Sequence, residues 1–248
     1  MQRSALLLGF LGIVAAVLIA AGLAAGGYLA GRGVAASRLD DRFVTVKGVA
    51  EIEAAADLAT YPLRVTMTGG DLIGTKARID DALQQITAYL RDYGFGEDEL
   101  AAQRLEVQDF FSMGYRPEGL TEDSRYMLAQ AVLIRSSNID LVTKVSQDVG
   151  ELVRRGIVIN DAGGPTYIVT AGRLKELKPH LIRRATLAAK DAAAEFAATS
   201  GSKVGDIRRA NQGVIVVRAR DESPMIQEFQ SAEKRIRAVV TIEYLLAR

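Results

Sequence analysis

Apolar positions recur along this chain in two rhythms, and the switches between them mark its elements. Between Leu174 and Gly201 they fall at Leu181, Ala185, Ala188, Ala192 and Phe196, the three-and-four spacing of one helix face. Seven alanines between positions 188 and 198 raise helix propensity and let that face come close to a sheet. Gly201 offers the left-handed residue that commonly ends a helix. Strand-like runs at Tyr167 to Thr170 and Val214 to Val217 flank the segment.

The period changes to two from Phe43 to Ala55. Val44, Val46, Gly48, Ala50 and Ile52 share one side there, opposite Thr45, Lys47, Glu51 and Glu53. Asp57 marks a turn, and Tyr61, Leu63, Val65 and Met67 continue as a second strand, with Pro62 on its other face suggesting an edge or bulge. Asp71 opens a helix whose apolar positions are Ile79, Leu83, Ile86, Leu90 and Tyr93, closed by Gly94. Leu105, Val107 and Phe111 read as a third strand, and residues 112–124 as a long hairpin loop. Tyr126 to Ile134 is apolar on both sides, the pattern of a central strand covered on both faces. Asn138 is placed to cap a helix with Leu141, Val145, Val149 and Leu152 on one face, ending at Gly156. Ile157 to Ile159 suggest a short strand, residues 221–233 a polar loop, and Ile236 to Tyr244 the last strand.

The predicted order is strand–strand–helix three times, then two strands. That is an α+β fold, a mainly antiparallel sheet with three helices in repeated ββα order. One transmembrane helix is expected to precede it. No charged residue occurs from Ala5 to Gly31, a run of 27. That length exceeds the roughly 20 residues a spanning helix needs and the roughly 7–15 of a signal-peptide core. Arg3 before it points the amino end to the cytoplasm, although Arg32 and Arg38 follow. The expected domains are therefore a membrane anchor and connector at 1–38 and an α+β domain at 39–248. The alternative is a signal cleaved near Ala36, which would release the domain outside the cytoplasm.

The chemistry-bearing residues are sparse. There is no Cys, so no disulfide framework or thiolate site exists. The one histidine, His180, has no partner pattern for general-base or zinc chemistry. The acidic groups Glu51/Glu53, Asp80-Asp81 and Glu97-Asp98-Glu99 lack the spacing of a calcium loop. Gly69-Gly70 begins no phosphate-binding motif, and no serine sits in a G-x-S-x-G elbow. These patterns call for no cofactor, no metal and no catalytic residue, and the expectation is a non-enzymatic protein. Arg208, Arg209, Arg218 and Arg220 have no aromatic among them, which argues against nucleic acid.

The strand VTVKGVAEIE with Asp57-Leu58-Ala59 before a second strand resembles the opening of the bacterial SIMPL-domain family. Tyr126 to Ile134 followed by 138–156 carries the same likeness, as does the helix 181–201 followed by Lys203-Val204-Gly205-Asp206-Ile207. The likeness covers about residues 43–247. Two turn positions depart from it, Ala56-Asp57 where the family usually has Pro-Asp and Arg125-Tyr126 where it usually has Gly-Tyr. The resemblance implies a secreted or envelope-anchored protein of the inner membrane and periplasm. It also implies assembly into large homo-oligomers and a link to envelope and oxidative stress, with no established active site.

Two features bear on such assembly. Residues 39–172 carry a net charge of −8 and residues 173–220 a net +7. Split over different outer surfaces, these would draw copies together head to tail; within one domain they would simply neutralise each other. Arg208 and Arg209 are the basic candidates for assembly contacts. The aromatics Phe110, Phe111 and Tyr115, near Tyr126, either close the core end of the hairpin or form a contact patch. The partner protein is unspecified. The alternative function is a periplasmic module that binds a small molecule between helix and sheet, which an apolar cavity with a few convergent polar groups would favour.

Overall fold

The computed structural model describes residues 18–33, 42–112, 119–160, 163–221, 223 and 227–247. Residues 5–17 of the expected anchor, the connector 34–41 and Tyr115 lie outside them. A helix, α1, occupies residues 18–33, exposed throughout. Among the described residues no helix is long and apolar enough to cross a membrane.

The chain divides into two compact units. The first comprises residues up to Val49, Ile182–Gly213 and Val239–Arg248; the second comprises Ala50–Leu181 and Val214–Ala238. Both sheets are antiparallel where their registers are given.

The second unit holds β2 (Leu58–Gly69), α2 (Leu72–Tyr93), β3 (Leu100–Ala102), β4 (Glu106–Asp109), β5 (Tyr126–Ser136), α3 (Ile139–Asp148), α4 (Gly150–Arg154) and β6 (Thr166–Ile168). Its sheet runs β3-β5-β2-β6, and β4 joins the same side of β5 as β3. Alternation decides the faces: Tyr61, Leu63 and Val65 of β2 and Leu128, Val132 and Ile134 of β5 are buried against Ile79, Ile86 and Leu90 of α2 and Val142 and Val145 of α3. The Asp71 carboxylate caps α2 by accepting from the amides of Ile73 and Gly74. Gly94, at φ 108°, ends it. Asn138 caps α3 through Leu141 N at 3.1 Å.

Asp57 has a longer reach. Its carboxylate accepts from Thr170 N at 2.7 Å and from the Thr170 hydroxyl, and so fixes the residue from which α5 (Ala171–Thr199) starts. β5 is central, as its apolar run suggests. α2 and α3 pack on one of its faces; on the other, the Arg64–Glu106 ion pair (2.7 Å) crosses it above the buried Ala129 and Ala131. Among the described residues, Pro62 has no partner on the second side of β2, between the β6 pairing at 58–60 and a single bridge from Val65 to Ile159.

The first unit holds β7 (Lys203–Gln212) and the first and last stretches of β1 (Phe43–Ala55) and β9 (Glu233–Ala247), with the carboxyl-terminal part of α5. β9 lies between β1 and β7. In the second unit the other end of β9 pairs with β8 (Val216–Ala219). Ala185, Ala189, Ala193 and Ala197 form the buried stripe of α5, where the sequence suggests Ala188, Ala192 and Phe196. Ala188 and Ala192 are half-buried, and Phe196 is 63% exposed. An all-alanine surface has no polar counter-pattern, so the one large apolar residue nearby suggests a neighbouring stripe.

The threefold ββα order is not what the chain adopts. The expected strand at 105–111 is two short strands, β3 and β4, with Leu105 between them. The second helix breaks at Val149 into α3 and α4. Ile157 to Ile159 contribute one bridge, and three strands follow α5. β7 hides from pattern reading because nearly all its residues are exposed, which leaves no apolar alternation.

Candidate functional site

Of the expected contact residues, Arg208 and Arg209 lie on β7 in the first unit, both exposed. The Arg208 guanidinium stacks over the Phe43 ring at 4.3 Å, and Arg209 stands opposite Glu243 of β9. β7 is an edge of its sheet, and its register slips twice, between Val204 and Ile207 and between Ile207 and Arg209. Bulges and charged side chains of this kind blunt an edge against indiscriminate strand pairing. What remains is an exposed strand with Lys203, Arg208 and Arg209 and one acid, Asp206.

Phe110 and Phe111 lie in the second unit, in a single 3-10 turn directly after β4, both half-buried. Tyr115 falls outside the described residues. The organising residue is one the sequence does not single out as functional, Arg125. Its guanidinium makes a two-pronged contact with Asp109 (Nε–Oδ1 3.2 Å, Nη2–Oδ2 3.0 Å). It also stacks over Tyr126 at 4.8 Å and Phe111 at 5.5 Å. The Phe110 amide donates to the Arg125 carbonyl at 2.9 Å, and the Phe111 amide to Asp109 Oδ1 at 2.9 Å. The hydrogen bond from Arg125 holds the Asp109 carboxyl below the usual carboxylate range. The aromatics thus close the base of the hairpin, half-buried around an ion pair.

Two further polar features stand out in the second unit. Lys234 of β9 is wholly buried, with its ammonium donating to the Glu228 carbonyl and to Glu228 Oε1 at 2.6 Å. Gln130 of β5 donates from Nε2 to the Gln103 carbonyl at 2.9 Å, while its buried Oε1 has no hydrogen-bond partner among the described residues. Open cavities of about 700 and 430 Å3 border α2 on the side of β3 and β4. His180 is exposed on α5, and among the described residues no three metal-ligating side chains converge.

A family model described as SIMPL, protein of unknown function (DUF541), matches residues 44–244. The chain belongs to the SIMPL family. No curated protein matches it. The match spans both compact units, from the start of β1 to near the end of β9. The departure Arg125-Tyr126 falls on the residue that binds Asp109 and packs on Phe111.

Proposed function

We propose that this SIMPL-family chain is a non-enzymatic protein of the bacterial envelope. Residues 5–31 hold it in the inner membrane with the family domain on the periplasmic side. It acts through self-assembly or contacts with other proteins, in a role in envelope or oxidative stress tolerance. The uncharged length of 27 residues supports the anchor.

The observation that carries the assembly reading is β7. It is a ten-residue edge strand, nearly all exposed, and it bears Lys203, Arg208 and Arg209. Its bulges disfavour simple strand addition, so contact with another copy runs through charge, against the acidic stretch 39–172. Such an interface joins two different surfaces, and closes into a ring when its rotation permits. Light scattering on the purified protein at low ionic strength tests this. The reading expects a mass of several chains; a strictly monomeric protein at high concentration contradicts it.

A further inference from the structure

α2 carries two stripes. One is buried in the core of the second unit. The other runs from Ile73 through Asp80 to Arg91 and looks toward the β3–β4 edge of the sheet. The two open cavities lie along it and share Asp80. The smaller is apolar, walled by Leu72, Ile73, Leu105, Val107 and Leu128, with Ile73 81% and Val107 51% exposed. The larger is mixed, with Gln84, Thr87 and Gln130 among Leu83, Leu100 and Val132. From residue 73 to residue 91 a helix advances about 27 Å, the length of roughly eight residues of extended chain.

The far wall of this trough is an unpaired strand edge among the described residues. β3 and β4 are both outermost in the sheet. Gln103 N donates to Ala131 O at 2.8 Å and Phe110 N to Arg125 O at 2.9 Å. Inward and outward backbone groups alternate in an antiparallel ladder, so the N–H and C=O of Ala102 and Val107 point away from β5. The charges along the trough are matched: Asp80 pairs with Lys76, and Arg91 with Glu97 at 2.8 Å. A neutral occupant suits it.

We infer that this trough receives an extended, uncharged peptide segment of a partner protein, which adds a strand to the β3–β4 edge. An apolar side chain fills the end walled by Ile73, Leu105 and Val107. Backbone groups of the segment pair with those of Ala102 and Val107. The inference is independent of the assembly reading, which rests on β7.

Fluorescence anisotropy tests it on the purified full chain, with a labelled peptide of about eight alternating valines and threonines. The same peptide N-methylated at alternate amides serves as control. Saturable binding is expected, weaker by roughly tenfold or more for the N-methylated peptide and for Ala102→Pro. Proline at 102 removes an outward N–H, so the ladder to β5 stays intact. Should that variant misfold, the two peptides compared on the unaltered protein still decide the matter. No saturable binding overturns the inference, and so does binding indifferent to N-methylation. If Ala102→Pro abolishes self-association while the parent binds no peptide, the occupant is a second copy and the inference fails.

Discussion

Gly48 of β1 faces the backbone of α5 at Ala185: a Cβ built on Gly48 would lie 1.9 Å from the Ala185 carbonyl oxygen. It would also lie 2.8 Å from the Cβ of Ala189. The alanine stripe of α5 therefore serves contact distance more than helix propensity. A methyl group at either surface would push helix and strand apart.

Gly48→Ala is expected to destabilise the protein by roughly 1–3 kcal/mol or more, because the clash is with backbone that cannot rotate away. Ala189→Leu, on the buried stripe, should cost a similar amount, and Ala192→Leu, only half-buried, distinctly less. Gly150→Ala is the control, since nothing lies within 4 Å of its added Cβ. Thermal melts give the ranking. Equal melting of Gly48→Ala and Gly150→Ala would show that α5 does not sit on β1 as described.

The buried Lys234 predicts an asymmetry between its two partners. Glu228→Gln leaves a wholly buried ammonium with only the Glu228 carbonyl and a neutral amide, a loss of about 3 kcal/mol. Lys234→Met leaves Glu228, whose side chain is 44% exposed and open to water, so the loss should be much smaller. The double variant should recover most of the single Glu228 defect. Chemical denaturation of the three proteins measures this. Additive losses would refute the coupling.

Acid sensitivity follows from Asp109. Its carboxyl is held below the ordinary value by Arg125 in the folded state, so the unfolded chain takes up the proton first as pH falls. The stabilising contribution is therefore complete above the ordinary carboxylate value, about pH 4, and disappears below it. Asp109→Asn should lower the denaturation midpoint at neutral pH and close the gap to the parent in acid. A gap that stays constant from pH 6 down to the acid limit would show that Asp109 does not bind Arg125 as a carboxylate.

Much of the second unit is legible in the sequence because its signals are local. Asp71 and Asn138 cap helices where their position suggests, and Gly94, Gly156 and Gly201 all take positive φ at helix ends. The apolar face of α2 is the one its spacing gives. The rest depends on distant partners. Arg125 meets Asp109 across a hairpin, Asp57 meets Thr170 across 113 positions, and Gln130 meets the Gln103 carbonyl across 27 positions. Of the contact candidates, Phe111 lies under the Arg125 guanidinium, and the Phe110 amide donates to the Arg125 carbonyl. Arg208 and Arg209 are on the surface, on a strand whose exposure erased its own pattern.

The anchor makes a separate prediction. Mass spectrometry of the mature protein should find residues 5–31 retained. A mature amino terminus near residue 37 would establish the cleaved alternative and release the domain from the membrane.

The self-association mass at two salt concentrations, for the parent and for Arg208→Glu with Arg209→Glu, tests the assembly claim most directly. Loss of the Arg208–Phe43 contact is controlled by a melt and by Arg209→Glu alone. Salt screens such contacts over about 10 Å at 0.1 M, so charge reversal should matter most where screening is weakest. The expected result is a parent assembly at low salt that the double variant reduces toward a single chain, with the difference shrinking at high salt. A parent that remains monomeric at low salt, or a variant that assembles equally well, would contradict the account.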